Sequence, residues 1–123
     1  MRFLTLILLL SCGAEDPATF TEVYENILEP SCGFSSCHGG GAGGFFLGDM
    51  STTYDSLVNA ESADAEGEIL VVPGDANSSY LILKLEDAEG IVGDAMPPAQ
   101  PLPSEKIERV RSWIDAGALE GLP

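Results

Sequence analysis

Apolar residues are first concentrated at the N-terminus, where Phe3-Leu-Thr-Leu-Ile-Leu-Leu-Leu10 follows Met1-Arg2. Further along the pattern becomes periodic. Phe20, Val23, Tyr24, Ile27 and Leu28 recur at helical spacing and predict an amphipathic helix, capped by Thr19 or Thr21 and stopped by Pro30. Gly39-Gly-Gly-Ala-Gly-Gly44 is too rich in glycine for helix or strand and predicts a loop. Tyr54, Leu57 and Val58 predict a short helix near 52–60, with Thr52 or Thr53 near its start. Residues 61–68 are mostly acidic and small, and predict a solvated connection. The brief apolar run Ile69-Leu-Val-Val72 ends at Pro73-Gly74. Residues 78–86 have the composition of a strand, but the cap candidates Asp75, Asn77 and Ser78 favour a helix. Four prolines across 97–103 require extended or turned chain. Ile107, Val110, Trp113 and Ile114 then form the stripe of a final helix, with Ser104 as N-cap, Glu105 in the first turn and Gly117 as the glycine beyond its end.

This pattern predicts a mostly α domain over residues 19–121, with three to four short helices joined by long Gly/Pro-rich loops. A domain of this size buries only about two-thirds of its unfolded surface. The loops 38–50 and 87–103 have few apolar anchors of their own. Such a chain would fold most readily around a large apolar body.

The N-terminal run is too short to span a hydrocarbon core, which takes ~20 residues, and fits the apolar region of an export signal. Leu9-Leu10-Ser11-Cys12 closes it. That segment resembles the lipobox of bacterial lipoproteins, and the resemblance implies cleavage after residue 11, lipidation of Cys12 and a tether over 12–18. Gly13, where an aspartate would retain an enteric lipoprotein in the inner membrane, points by analogy to the periplasmic face of the outer membrane.

Cleavage removes Arg2 and leaves four basic against 20 acidic residues, a net of −16. That charge excludes a nucleic-acid binder of the usual basic kind and a polybasic lipid attachment. It suits a partner with a basic docking face, and equally a solubilised surface protein. Two cysteines remain for chemistry, Cys32 and Cys37, in an oxidising compartment where thiols are paired, metal-bound or otherwise derivatised.

Both lie in Pro30-Ser-Cys32-Gly-Phe-Ser-Ser-Cys37-His38-Gly39, which contains the chain's single histidine. A c-type haem is held by two cysteines with a histidine directly after the second. The common spacing has two intervening residues; here there are four, Gly33 to Ser36. A Cys32–Cys37 disulfide, a zinc site lacking its fourth ligand, and a cysteine nucleophile assisted by His38 are alternatives.

Further segments follow in order: Leu57-Val-Asn59, Val72-Pro-Gly-Asp75, Ser79-Tyr-Leu81, Met96-Pro-Pro98, Pro101-Leu102 and a closing Trp113-Ile114 with Gly117-Ala118. Across residues 20–119 this resembles the small cytochrome c-like domains of exported myxobacterial and planctomycete proteins. The resemblance implies one covalent haem c, with thioethers from Cys32 and Cys37. His38 and Met96 would be the axial ligands, and Met50 the weaker methionine candidate. Phe45, Phe46, Leu47, Leu57, Leu81 and Trp113 would form the apolar wall. It implies single-electron transfer to a redox partner rather than catalysis. A peroxidase-like activity would need an open distal position. The contrasting expectation is a haem-free lipoprotein whose Cys32–Cys37 disulfide staples a protein-interaction module.

Overall fold

The computed structural model describes residues 15–121; the expected export signal and the expected lipidation at Cys12 lie outside this range. The described chain is mostly helical. Helix α1 is one continuous run made of an α turn Phe20–Val23, a π-helical segment Tyr24–Leu28 and a second α turn Glu29–Cys32. It is followed by α2 (Met50–Leu57), α3 (Tyr80–Leu85) and α4 (Ser104–Asp115). Among the described residues, no helix is long and apolar enough to cross a membrane.

Helix α1 starts where expected, with the Thr19 hydroxyl accepting from the Glu22 N–H. It does not stop at Pro30. A proline inside a regular helix lacks the N–H and clashes with the carbonyl four residues back. Here the helix widens just before it, the Glu29 N–H reaching five residues back to Tyr24 O. The Asn26 carbonyl, which position 30 would engage in a regular helix, accepts from Lys106 Nζ of α4 at 3.3 Å. Passing the proline in this way carries the helix on to Cys32.

Helix α2 begins two residues before Thr52, because Asp49 rather than a threonine caps it, accepting from Thr52 N at 2.8 Å. It ends at Leu57, and the chain then runs extended. Val58 bridges Val71 and Glu61 bridges Ile69, so the apolar run 69–72 is held as an extended segment against the end of α2. Its next neighbour is α3, whose Tyr80 and Leu81 N–H groups donate to Ile69 O and Leu70 O. The helical reading of 78–86 holds over Tyr80–Leu85, after a single 3-10 turn, Ala76–Ser78, capped by Asp75.

In α4 the expected cap at Ser104 moves back one residue. Ser104 is the first helical residue, Pro103 holds the cap position, and no side chain caps the turn. At the other end Gly117, at φ +113°, donates to Ile114 O, and Ala118 donates to Trp113 O, the paired bonds of a Schellman motif.

The core is formed where the helical stripes meet: Phe20, Val23, Ile27 and Leu28 of α1 against Val110, Trp113 and Ile114 of α4, with Leu57 and Ile82 closing it. Trp113 is 2% exposed and clusters with Phe20 and Tyr54, at ring-centroid distances of 5.0 and 6.5 Å. The expected tether is already part of the domain where the structure describes it. Ala18 is buried and its N–H donates to Ser112 Oγ, while Arg109 donates to Asp16 O and, in bidentate fashion, to Glu22.

Candidate functional site

The end of α1 presents Cys32 to a cleft of about 110 Å³ lined mainly by apolar side chains. The next residues turn sharply. Gly33 N bonds back to Glu29 O, and Cys37 N and Gly39 N both donate to Phe34 O. The four residues between the cysteines therefore form an outward turn, with Phe34 61% exposed at its tip. This turn leaves no room for side chains on its inner face. A Cβ on Gly39 would collide with the Gly33 carbonyl, and one on Gly40 with that of Ser35.

The glycine loop doubles back to fix His38. Leu47 N donates to His38 O at 2.9 Å, and His38 Nδ1 lies 3.2 Å from Phe45 O, with the two rings 4.9 Å apart. An acceptor at Nδ1 selects the tautomer with the proton there and leaves a lone pair on Nε2, the arrangement of a metal-ligating histidine.

Met96 reaches the same cleft from the proline-rich loop, its N–H donating to Lys84 O at 2.8 Å. Cys32, His38 and Met96 also border an adjoining recess of about 190 Å³, whose wall includes Cys37 and Pro97. Four of the sequence-predicted residues, Cys32, Cys37, His38 and Met96, thus border the recess, and all but Cys37 also line the cleft.

Of the expected apolar wall, Phe45, Leu57 and Leu81 line the cleft. Phe46, Leu47 and Trp113 do not: Phe46 is 48% exposed, and Leu47 and Trp113 belong to the core. Met50 packs against that core and accepts a weak hydrogen bond from Thr21 Oγ1, away from the cleft. The sequence reading missed Leu28, Leu70, Tyr80, Lys84, Leu85 and Val92, all of which line the cleft. Leu81 and Leu85, like Tyr80 and Lys84, are spaced one helical turn apart, the signal that could have found them.

Both thiols are free, and burial together with the nearby Cys37 sulfur pushes the Cys32 thiol up to about 11. Among the described residues, no three His, Cys, Asp or Glu side chains gather as a metal-binding group. Two thiols for covalent attachment, one imidazole, one thioether and leucine-rich walls fit a c-type haem. Compared with catalogued protein families, curated proteins and solved structures, the chain matches none of them.

Proposed function

We propose that this chain is an envelope-anchored c-type cytochrome that carries single electrons through one covalently attached haem. The observation that carries this reading is that Cys32, His38 and Met96 line one leucine-rich cleft and, together with Cys37, border the recess beside it. When bound, haem c supplies an iron that gains and loses one electron.

The chain's own residues set how that happens. Cys32 and Cys37 would form the two thioethers, after which neither thiol is left to oxidise. His38 Nε2 would hold the iron, with the imidazole oriented by the Nδ1 hydrogen bond to Phe45 O. Met96 Sδ would be a second ligand, and a thioether in that role would favour the reduced iron and raise its potential. Held by His38 and Met96 together, the group would serve electron transfer, the role of a carrier rather than a catalyst. Leu28, Leu57, Leu81 and Leu85 line the cleft and would keep water from a bound haem, so little solvent would reorganise when its charge changes. A net charge of −16 after cleavage draws a partner with a basic docking face, at rates that fall as salt rises. Cys12 would tether the domain to the membrane through lipid.

The test is the visible spectrum of protein matured in a host that attaches haem c. A reduced c-type spectrum that survives acid-acetone extraction is expected. Colourless protein from that host, with a mass showing Cys32 bonded only to Cys37, would refute the reading in favour of a stapled interaction module.

A further inference from the structure

The segment leading into Met96 has little of its own to hold it. Val92 is 49% exposed, Gly90 and Gly93 have φ of +88° and +70°, and Asp94 is exposed. Its order comes from α3. Tyr80 and Lys84 lie one turn apart on the side of that helix which lines the cleft. Tyr80 Oη accepts from Val92 N at 2.8 Å. Lys84 Nζ donates to Val92 O at 2.7 Å and also to Asp94 O, and Lys84 O accepts from Met96 N at 2.8 Å. Four hydrogen bonds from two side chains and one carbonyl therefore hold Val92, Asp94 and Met96, alternate residues of the segment 92–96. The platform itself is fixed, because Glu86 at the end of α3 takes a bidentate pair from Arg111 of α4.

We propose that Tyr80 and Lys84 are positioning residues which hold the Met96 thioether at the cleft; this rests on the haem reading above, where that sulfur is an axial ligand. A neutral thioether is a weak ligand and competes poorly unless its backbone is already in place. Lysine suits the task because an ammonium has three donors on one centre and can cap converging carbonyls. Neither residue touches the iron in this scheme. Both act through the loop.

The experiment uses haem-loaded protein and the variants Lys84→Met, Tyr80→Phe and Lys84→Arg. Lys84→Met keeps the length of the side chain and removes the donors; Tyr80→Phe removes one hydroxyl and tests the clamp where Lys84→Met fails to mature. In Lys84→Met and Tyr80→Phe the mass should still show covalent haem. The sulfur-to-iron near-infrared band of the oxidised protein should weaken. Added imidazole should displace the thioether at about tenfold lower concentration, as expected for loss of a hydrogen bond to a loop it holds closed. Amide exchange at 92–96 should quicken in parallel. Lys84→Arg, which restores charge and donors, should recover part of the band. Loaded Lys84→Met and Tyr80→Phe with the parent band and imidazole affinity would overturn the clamp and leave the haem reading intact. A parent protein without covalent haem, or one whose band survives Met96→Ala, would overturn the ligand assignment itself and the clamp with it.

Discussion

Replacing Trp113 with alanine separates a structural role from a cofactor-wall role. The indole is 2% exposed, packs on Phe20 and Tyr54, and donates from Nε1 to Leu119 O at 2.9 Å. A tryptophan buries ~150–250 Å², which at ~25 cal/mol per Å² corresponds to about 4–6 kcal/mol. Alanine retains part of that, and measured truncations of this kind cost about 3–5 kcal/mol. Domains of this kind have a total stability of about 5–15 kcal/mol, so the loss is a large fraction of the whole. With a urea m-value of ~1–3 kcal/mol per M, the midpoint should fall by about 2 M. The assay is urea unfolding of matured protein, followed by far-ultraviolet circular dichroism. The visible absorption maxima of the folded fraction should stay at parent positions, because the ring does not line the cleft. Leu81→Ala, by contrast, alters a cleft wall and should move those maxima while shifting the midpoint less. A Trp113→Ala protein with a parent-like midpoint and a displaced visible spectrum would refute the assignment of this ring to the core.

Three further outcomes are expected. Gly39→Ala and Gly40→Ala should sharply reduce haem attachment, measured by mass, since a Cβ at either position meets a backbone carbonyl. Gly41→Ala should cost only about 1–2 kcal/mol, because its positive φ is disfavoured but the space around it is open. Arg109 holds the Glu22 carboxyl below its ordinary value of 4.5, chiefly by hydrogen bonding. Folding thus favours the ionised form, and the pair's contribution is complete above that value and lost as pH falls below it. Arg109→Gln should lower stability by about 0.5–1 kcal/mol at pH 7, and the gap to the parent should close as urea titrations are taken below pH 4.5. In protein without haem, alkylation of Cys32 should be slow at neutral pH and quicken about tenfold per pH unit towards the raised value of about 11, with urea abolishing the delay.

Much of the architecture can be read along the chain because it is local. The stripes of α1 and α4, the Thr19 cap and the Gly117 stop follow from spacing and from single residues with a strong conformational preference. The reactive residues are equally plain: Cys32, Cys37 and His38 are neighbours in sequence, and Met96 stands before two prolines. Other features depend on what lies across space. Pro30 ends a helix in isolation, but here α1 widens and Lys106, 80 residues away, takes up the Asn26 carbonyl. Phe45 and Phe46 are equally apolar, yet neighbours in extended chain point opposite ways, and Phe45 is the one that lines the cleft. Trp113 lies on a stripe that either a core or a cofactor could cover, and the approach of Phe20 and Tyr54 settles which. Lys84 looks like a solvated cation until the 92–96 segment folds over it. Backbone preference and helical period are written into consecutive residues, whereas the side on which an apolar or charged group finds its partner depends on how distant segments pack.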